Sequence, residues 1–324
     1  MVHRPPFQVL ALAAALAAGV AGGGCNPTVA RYTPVPGDFT VVLIPDTQYY
    51  LGDHVDLFES QIQWIADHRV DQNIVFAIHE GDMTNGNTPD EWKIVDRVMK
   101  ILDDAGVPWS PMPGNHDGID RGITDSALYN QYFGLSRFAG KPWVGDHFDD
   151  TFDSHTMFFE AGGMQFMVLS LAFGTPREQL DWADQELSAH PNERVIFATH
   201  AYLDDDGTYL DRGETYGVEA ERWTGGSTIW NDLISKHPNV FMTVCGHVPG
   251  QGRRISTNDA GGKVLEILAN YQGIENGGDG YLRLLHFSPT RDSIWVEAYS
   301  PPHDKVWLNP KHTFRLDYPM PDPK

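Results

Sequence analysis

Five short segments of this chain carry residues that hold metals or move protons. In chain order they are Asp46-Thr47-Gln48, Gly81-Asp82, Gly114-Asn115-His116-Asp117, Thr199-His200 and Gly246-His247. Carboxylate, carboxamide and neutral imidazole together form the donor set of a pair of divalent transition metals. Two such ions, about 3.5–4 Å apart, neutralise charge on the oxygens of a phosphate ester and generate hydroxide at neutral pH. The pair needs a bridging carboxylate, terminal carboxylates and imidazoles. Asp82 suits the bridge, because Gly81 before it lets the backbone turn sharply. Asp46 suits one metal, and Asn115, His200 and His247 suit the other.

The elements that must position these residues are legible around them. Apolar runs at 41–44, 74–78, 195–198 and 240–244 each end just before a motif, and a third short strand is expected at 107–112. Open α/β sheets gather ligands at the carboxyl ends of their strands. Helices are expected near 57–68, with Phe58, Ile62 and Ile65 on one face, and at 89–105, with Trp92, Val95 and Met99 spaced for burial. This βαβαβ opening favours a largely parallel sheet. Residues 121–160 are less regular, with Tyr129, Tyr132, Phe133 and Phe138 in a helix and loop. A strand at 164–171, helices at 178–190 and near 227–237, and a β-rich end at 263–269, 281–287 and 293–299 complete the chain. The fold class is α/β: two mixed β-sheets packed as a sandwich flanked by helices, as a single domain over 38–324.

The order DxQ, GD, GNHD, TH and GH resembles the calcineurin-like metallophosphoesterase family over residues 46–247. The resemblance implies a four-layer fold. It makes Asp46 a terminal ligand of a first metal, Asp82 the bridge, and Asn115, His200 and His247 ligands of a second. It sets His116 beside the leaving-group oxygen as acid or charge stabiliser, oriented by Asp117. Imidazole suits that task because its pKa lies near the operating pH. Two departures stand out: Gln48 replaces a common His, and Pro249 replaces a second His two residues after His247. The first metal keeps Asp46, Asp82 and the Gln48 amide oxygen, and waters or a residue of the Asn270-Tyr271-Gln272 turn would complete it. Oxygen-only ligation favours Mn²⁺, Mg²⁺ or Ca²⁺ over Zn²⁺; among Mn, Fe, Zn, Mg and Ca the identity stays open.

Two functions are compatible with this pattern. One is hydrolysis of phosphate mono- or diesters, with a metal-bound hydroxide attacking in line. The other is a non-catalytic exported lipoprotein that keeps the fold and binds a ligand or one metal, for which Gln48 and Pro249 speak. The intact His116-Asp117 pair speaks for catalysis. Arg253 and Arg254 follow His247 closely and could grip a phosphate in bidentate fashion, or else form structural ion pairs. Tyr49 could stack on a substrate, or else pack.

Composition bounds partners and location. The 324 residues carry 23 Lys and Arg against 44 Asp and Glu, a net charge of −21. Such a surface lacks the basic stripes on which bulk nucleic-acid binding relies. Residues 1–24 combine Arg4, an apolar run at 7–20 and small residues at 21–24, the pattern of an export signal. Cys25 after them resembles a bacterial lipoprotein cleavage box, although Gly22 stands where Leu is usual. The expectation is export with a lipid anchor on Cys25, the only membrane contact foreseen, or else a periplasmic or secreted form. Residues 25–37, with Pro27, Pro34 and Pro36, read as a tether. Cys245 is the only other cysteine and fits a buried thiol at a strand end. Nothing in the sequence indicates an oligomeric state.

Overall fold

The structure is a computed structural model that describes residues 30–118, 126–211 and 223–320. The chain opens with β1 (Phe39–Ile44), α1 (Val55–Asp67), β2 (Ile74–His79), α2 (Pro89–Ala105) and β3 (Trp109–Ser110). The three strands pair in parallel. Continuous apolar runs suit them, since a parallel strand is covered on both faces, and β1 is buried throughout. On α1, Phe58, Ile62 and Ile65 turn inward at helical spacing. Helix α2 starts at Thr88, whose side chain accepts from the Glu91 N–H while Glu91 reaches back to Thr88. It stops at Gly106 in the left-handed conformation.

The middle of the chain supplies α3 (Ala127–Phe133), α4 (Leu135–Phe138), β4 (Val144–His147), β5 (His155–Ala161) and β6 (Met164–Leu171). Next come α5 (Arg177–Ala189), β7 (Arg194–Thr199), α6 (Gly226–Asp232), β8 (Val240–Cys245), β9 (Gly250–Thr257) and β10 (Lys263–Asn270). The last strands are β11 (Leu282–Ser288), β12 (Ser293–Ser300), β13 (Lys305–Val306) and β14 (Phe314–Asp317). Among the described residues two seven-stranded sheets form. The first runs β13-β12-β11-β1-β2-β3 with β14 beside β12, and the second runs β4-β5-β6-β7-β8-β10-β9. Both are mixed: β6, β7, β8 and β10 run parallel, whereas β5 and β9 pair antiparallel with their neighbours.

Strand alternation divides the second sheet between two cores. Phe166, Val168, Ile196, Ala198, Val244 and Ile267 join the core shared with the first sheet. Met167, Leu169, Leu171, Phe197 and Cys245 face the other way, onto Leu180, Ala183 and Leu187 of α5 and Ile229 of α6. Aromatic rings bind the sheets together, with Phe39 to Phe166 at 5.7 Å and Phe166 to Phe287 at 5.8 Å between centroids. The result is an α/β sandwich of two mixed sheets flanked by helices, as the sequence predicts.

Local departures have physical causes. The third strand is two residues long, because Pro108, Pro111 and Pro113 around it lack ladder donors. The helix expected at 227–237 breaks at Leu233, whose backbone (φ −128°, ψ −71°) leads into a 3-10 turn at Ile234–Lys236. Strands β4, β5 and β9 were not expected from the sequence. The export-signal segment 1–24 and Cys25 lie outside the described residues. The described end of the tether lies against the sheet: the Tyr32 ring stacks on His286 at 4.2 Å, and Arg291 Nη2 donates to the Thr33 carbonyl at 2.8 Å. Among the described residues no helix is long and apolar enough to cross a membrane.

Candidate metal centre

The carboxyl ends of β1, β2, β7 and β8 meet at one edge of the sandwich and deliver the motif residues there. Asp46 follows β1, Asp82 follows β2, and Asn115 opens a 3-10 turn (Asn115–Asp117) after β3. His200 follows β7 directly and His247 lies two residues past β8. All five are buried. His200 Nε2 lies 3.3 Å from Asp82 Oδ1 and 3.1 Å from Asn115 Oδ1. His247 Nδ1 lies 3.3 Å from His200 Nε2. Ligand atoms of Asp82, His200 and His247 all fall within 4.8 Å of one another. The Asp46 carboxylate accepts from the His247 N–H at 3.3 Å, which joins the ends of β1 and β8 across the two sheets.

The backbone is shaped to bring these groups close. Asp82 and His247 both adopt positive φ, 50° and 68°, a conformation that costs a non-glycine residue on the order of 1–3 kcal/mol. The glycines of the motifs make room for carboxylates. A Cβ on Gly114 would sit 2.2 Å from Asp82 Oδ1, and one on Gly246 would sit 2.3 Å from Asp46 Oδ1. His79 stiffens the same edge, its ring placed between Thr47 Oγ (3.1 Å) and the Gly81 N–H (3.2 Å).

The electrostatics are those of a cation site. His200 Nδ1 donates to the Glu80 carbonyl at 2.7 Å, which leaves Nε2 for a ligand. Burial alone would depress this imidazole, but Asp82 and Asp46 outweigh it and push it up to about 10. Burial pushes Asp46 up to about 8, and the charge of Asp82 adds to this. Burial would also raise Asp82, yet His200 beside it holds its carboxyl below the usual range. Burial, together with the charge on His200, takes His247 down to about 3. The Asp82 carboxylate thus lies against the His200 imidazolium, and burial holds a proton on Asp46. A divalent cation supplies more charge to the same oxygens and displaces that proton. Asp82, Asn115, His200 and His247 therefore fit a metal ion in donor type, burial and closeness.

The other motif residues take distinct places. The half-buried His116 donates its backbone N–H to Asp82 Oδ1 at 2.9 Å, and its Nδ1 donates to the Asn85 carbonyl at 2.7 Å. Asp117 has no hydrogen bond to that ring, which corrects the expectation that it orients His116. Its carboxylate accepts instead from the Met83, Thr84 and Gly114 N–H groups and from Thr84 Oγ. Gln48 is buried, with its amide 2.5 Å from Gln272 Oε1. Tyr49 is 48% exposed. Arg253 lies over the Phe314 ring at 4.2 Å. Arg254 lies over Tyr209 at 4.0 Å and pairs with the buried Glu266 at 3.4 Å. Neither guanidinium contacts the carboxylates and imidazoles of the centre through these partners. The sequence reading missed Phe173, whose ring walls the centre at 5.3 Å from His247 and 5.7 Å from His200 and itself packs on Trp223. It lies in a loop past β6 without periodic pattern, so no local signal marks it.

A two-sheet sandwich that collects carboxylates, a carboxamide and imidazoles at one edge defines a metallophosphoesterase-type fold and site. The chain belongs to the calcineurin-like phosphoesterase family, whose model matches residues 39–251. It is 32% identical over 275 residues to the uncharacterized protein YvnB of Bacillus subtilis, covering 83% of this chain and 20% of that one. It is 23% identical over 182 residues to a probable glycerophosphodiester phosphodiesterase, GpdQ, of Arcobacter nitrofigilis, covering 56% of this chain and 57% of the relative. The chain thus spans about a fifth of the Bacillus relative and somewhat over half of the Arcobacter one. In fold it is similar to a dimetal phosphatase from Danio rerio, with a TM-score of 0.54 and 15% identity over 86% of this chain and 99% of that one.

Proposed function

We propose that this protein hydrolyses phosphate mono- or diesters with divalent cations held by Asp46, Asp82, Asn115, His200 and His247. The observation that carries the proposal is the buried convergence of Asp82, His200 and His247 from three different strand ends. When bound, such cations supply Lewis-acid charge and lower the pKa of water. The chain's own residues do the rest. Asp82 spans the two halves of the centre, with Oδ1 toward His200. The Nδ1 hydrogen bond of His116 to Asn85 fixes its tautomer, so Nε2 is the nitrogen left to meet a leaving-group oxygen. Phe173 keeps one side of the imidazole pair dry. Similarity to the probable glycerophosphodiester phosphodiesterase of Arcobacter supports a diester substrate.

Export is part of the same proposal and rests on the pattern of residues 1–24 and Cys25. The non-catalytic reading, a lipoprotein that binds a ligand or one metal, draws support from Gln48 and Pro249. Turnover of bis-p-nitrophenyl phosphate and p-nitrophenyl phosphate by Asp82→Asn and His116→Ala separates the two. Hydrolysis predicts a loss of roughly a hundredfold or more in each variant. No turnover by the metal-loaded parent gives the non-catalytic reading precedence, and unchanged turnover in both variants refutes hydrolysis through Asp82 and His116.

A further inference from the structure

Residues 31–38 do not run straight into β1 but double back along the first sheet. A turn reverses the chain just before the strand: the Asp38 carboxylate accepts from the Val35 N–H at 2.7 Å, and the Val35 carbonyl accepts from the Asp38 N–H at 3.1 Å. Upstream of that turn the segment lies on the face of β11 and β12 that carries His286, Trp295, Glu297 and Tyr299. Strand register shows how far it travels. His286 pairs with Thr40 near the start of β1 and with Trp295 of β12. Tyr299 pairs with Leu282, the neighbour of Arg283, which pairs with Leu43 near the end of β1. Tyr32 occupies the first level, its ring stacked on His286 and 6.0 Å from Trp295, its N–H donating to the Glu297 carboxylate. Arg31 occupies the second, its guanidinium 5.5 Å from the Tyr299 ring centroid and 3.9 Å from Asp304.

The carboxyl end of β1 is the metal-centre edge, and Arg31 adjoins its rim. Asp304 follows His303, whose Nε2 lies 3.0 Å from Asp279 Oδ1, and Ser300 Oγ donates to the Asp279 carbonyl at 2.7 Å. The same loop brings Gly277 so close that an added Cβ would lie 2.8 Å from the Tyr49 carbonyl, and its Gly280 N–H donates to the Tyr50 hydroxyl at 3.1 Å. The opposite edge of the sandwich carries Val70, 88% exposed in the loop before β2. The Asn73 carbonyl of that loop accepts from the Thr40 N–H at 2.9 Å. Cys25 stands six positions before Arg31, a reach of at most about 21 Å of extended chain.

We propose that this strap turns the metal-centre edge toward the lipid surface that holds an anchor on Cys25, so that the mouth of the centre opens onto that surface. A chain leaving the domain at Phe39 would place the anchor at the Val70 edge instead. With a net charge of −21 the protein surface has no attraction of its own for an anionic leaflet, so anchor and strap set the orientation. The inference rests on the proposal that the chain is exported and lipid-anchored, and it is independent of turnover.

The test is the rate at which a polyethylene-glycol maleimide labels His303→Cys and Val70→Cys in the full chain, anchored in membrane vesicles and again released in detergent. The native Cys245 is buried and stays silent. Anchoring is expected to slow labelling at position 303 by roughly fivefold or more and to leave position 70 unchanged. A flexible Gly/Ser insertion of about twenty residues after Asn26 restores labelling at 303 without touching the fold. Tyr32→Ala, which removes the ring stacked on His286, restores it as well. Equal effects of anchoring at the two positions, protection of position 70 in place of 303, or protection that survives the insertion overturns the inference. Equal membrane retention of the parent and Cys25→Ser overturns the anchor and the inference with it, and leaves the proposal of hydrolysis standing.

Discussion

Replacing Asp117 by alanine is expected to unlock the loops that carry Asp82 and Asn115. The Asp117 side chain is fully buried. Oδ1 accepts from the Thr84 N–H at 2.8 Å and from Thr84 Oγ at 2.9 Å, and Oδ2 accepts from the Met83 N–H at 3.0 Å and the Gly114 N–H at 2.9 Å. Truncation strands three backbone donors, while the Thr84 hydroxyl keeps the His116 carbonyl as acceptor at 3.1 Å. A buried donor left unmade costs about 1–3 kcal/mol. Water entering the space recovers part of that, and relief of repulsion from Asp82, which together with burial raises Asp117 to about 6, recovers more. A net loss of about 4 kcal/mol is reasonable, a fall in melting temperature of roughly 8 °C for a domain of this size. Asp117→Asn keeps one oxygen for Thr84 but turns NH₂ toward the Met83 and Gly114 donors, so about half the loss is expected. Thermal unfolding of the metal-free variants measures both. Metal affinity falls with stability, because Asp117 links Gly114, the neighbour of Asn115, to Met83, the neighbour of Asp82. A melting shift below about 2 °C with turnover abolished would refute this account and return Asp117 to direct service of His116.

Two more perturbations follow from local geometry. Gly246→Ala places a Cβ 2.3 Å from Asp46 Oδ1 and 3.3 Å from the Glu80 carbonyl, so Asp46 must move. Metal affinity in equilibrium dialysis should drop roughly tenfold or more, and an unchanged affinity would show that Asp46 is not held where the metal needs it. His155 is kept neutral by burial, down to about 3, between Ser110 Oγ at 2.8 Å and the Phe152 carbonyl at 3.0 Å. Between about 6.5 and 3 the unfolded chain takes up a proton that the folded chain refuses. This contribution is whole above pH about 6.5 and is lost as pH falls, at up to about 1.4 kcal/mol per unit. Denaturant unfolding from pH 7 to 4.5 should show a shallower acid slope in His155→Gln; equal slopes would mean that His155 does not drive it.

The elements legible in the sequence were those with a strong local cause. β1, β2, β6, β7 and β8 are apolar runs buried on both faces, and α1, α2 and α5 repeat apolar residues at helical spacing. β9 was not legible: Gly250-Gln251-Gly252-Arg253-Arg254 is an edge strand whose pairing with β10 is decided by the partner and not by its own composition. β5 carries a buried His155 and Thr156, whose hydrogen-bond partners lie elsewhere in the chain.

For the site, the sequence by itself determined the donor types and the sheet edge that receives them, because an Asp, Asn or His at the end of a buried strand has one place to go. Who faces whom was decided only by the tertiary structure. Arg253 and Arg254 follow His247 closely, but as adjacent residues of a strand they project to opposite faces, one onto Phe314 and the other onto Tyr209 and Glu266. His116 and Asp117 adjoin, yet the 3-10 turn aims one at the Asn85 carbonyl and the other at Met83, Thr84 and Gly114. Gln48 and Gln272 meet across most of the chain, through a turn bracketed to His247. Side-chain direction follows from local backbone, but the atom waiting at the other end belongs to a strand paired far along the chain, and no window of sequence contains both.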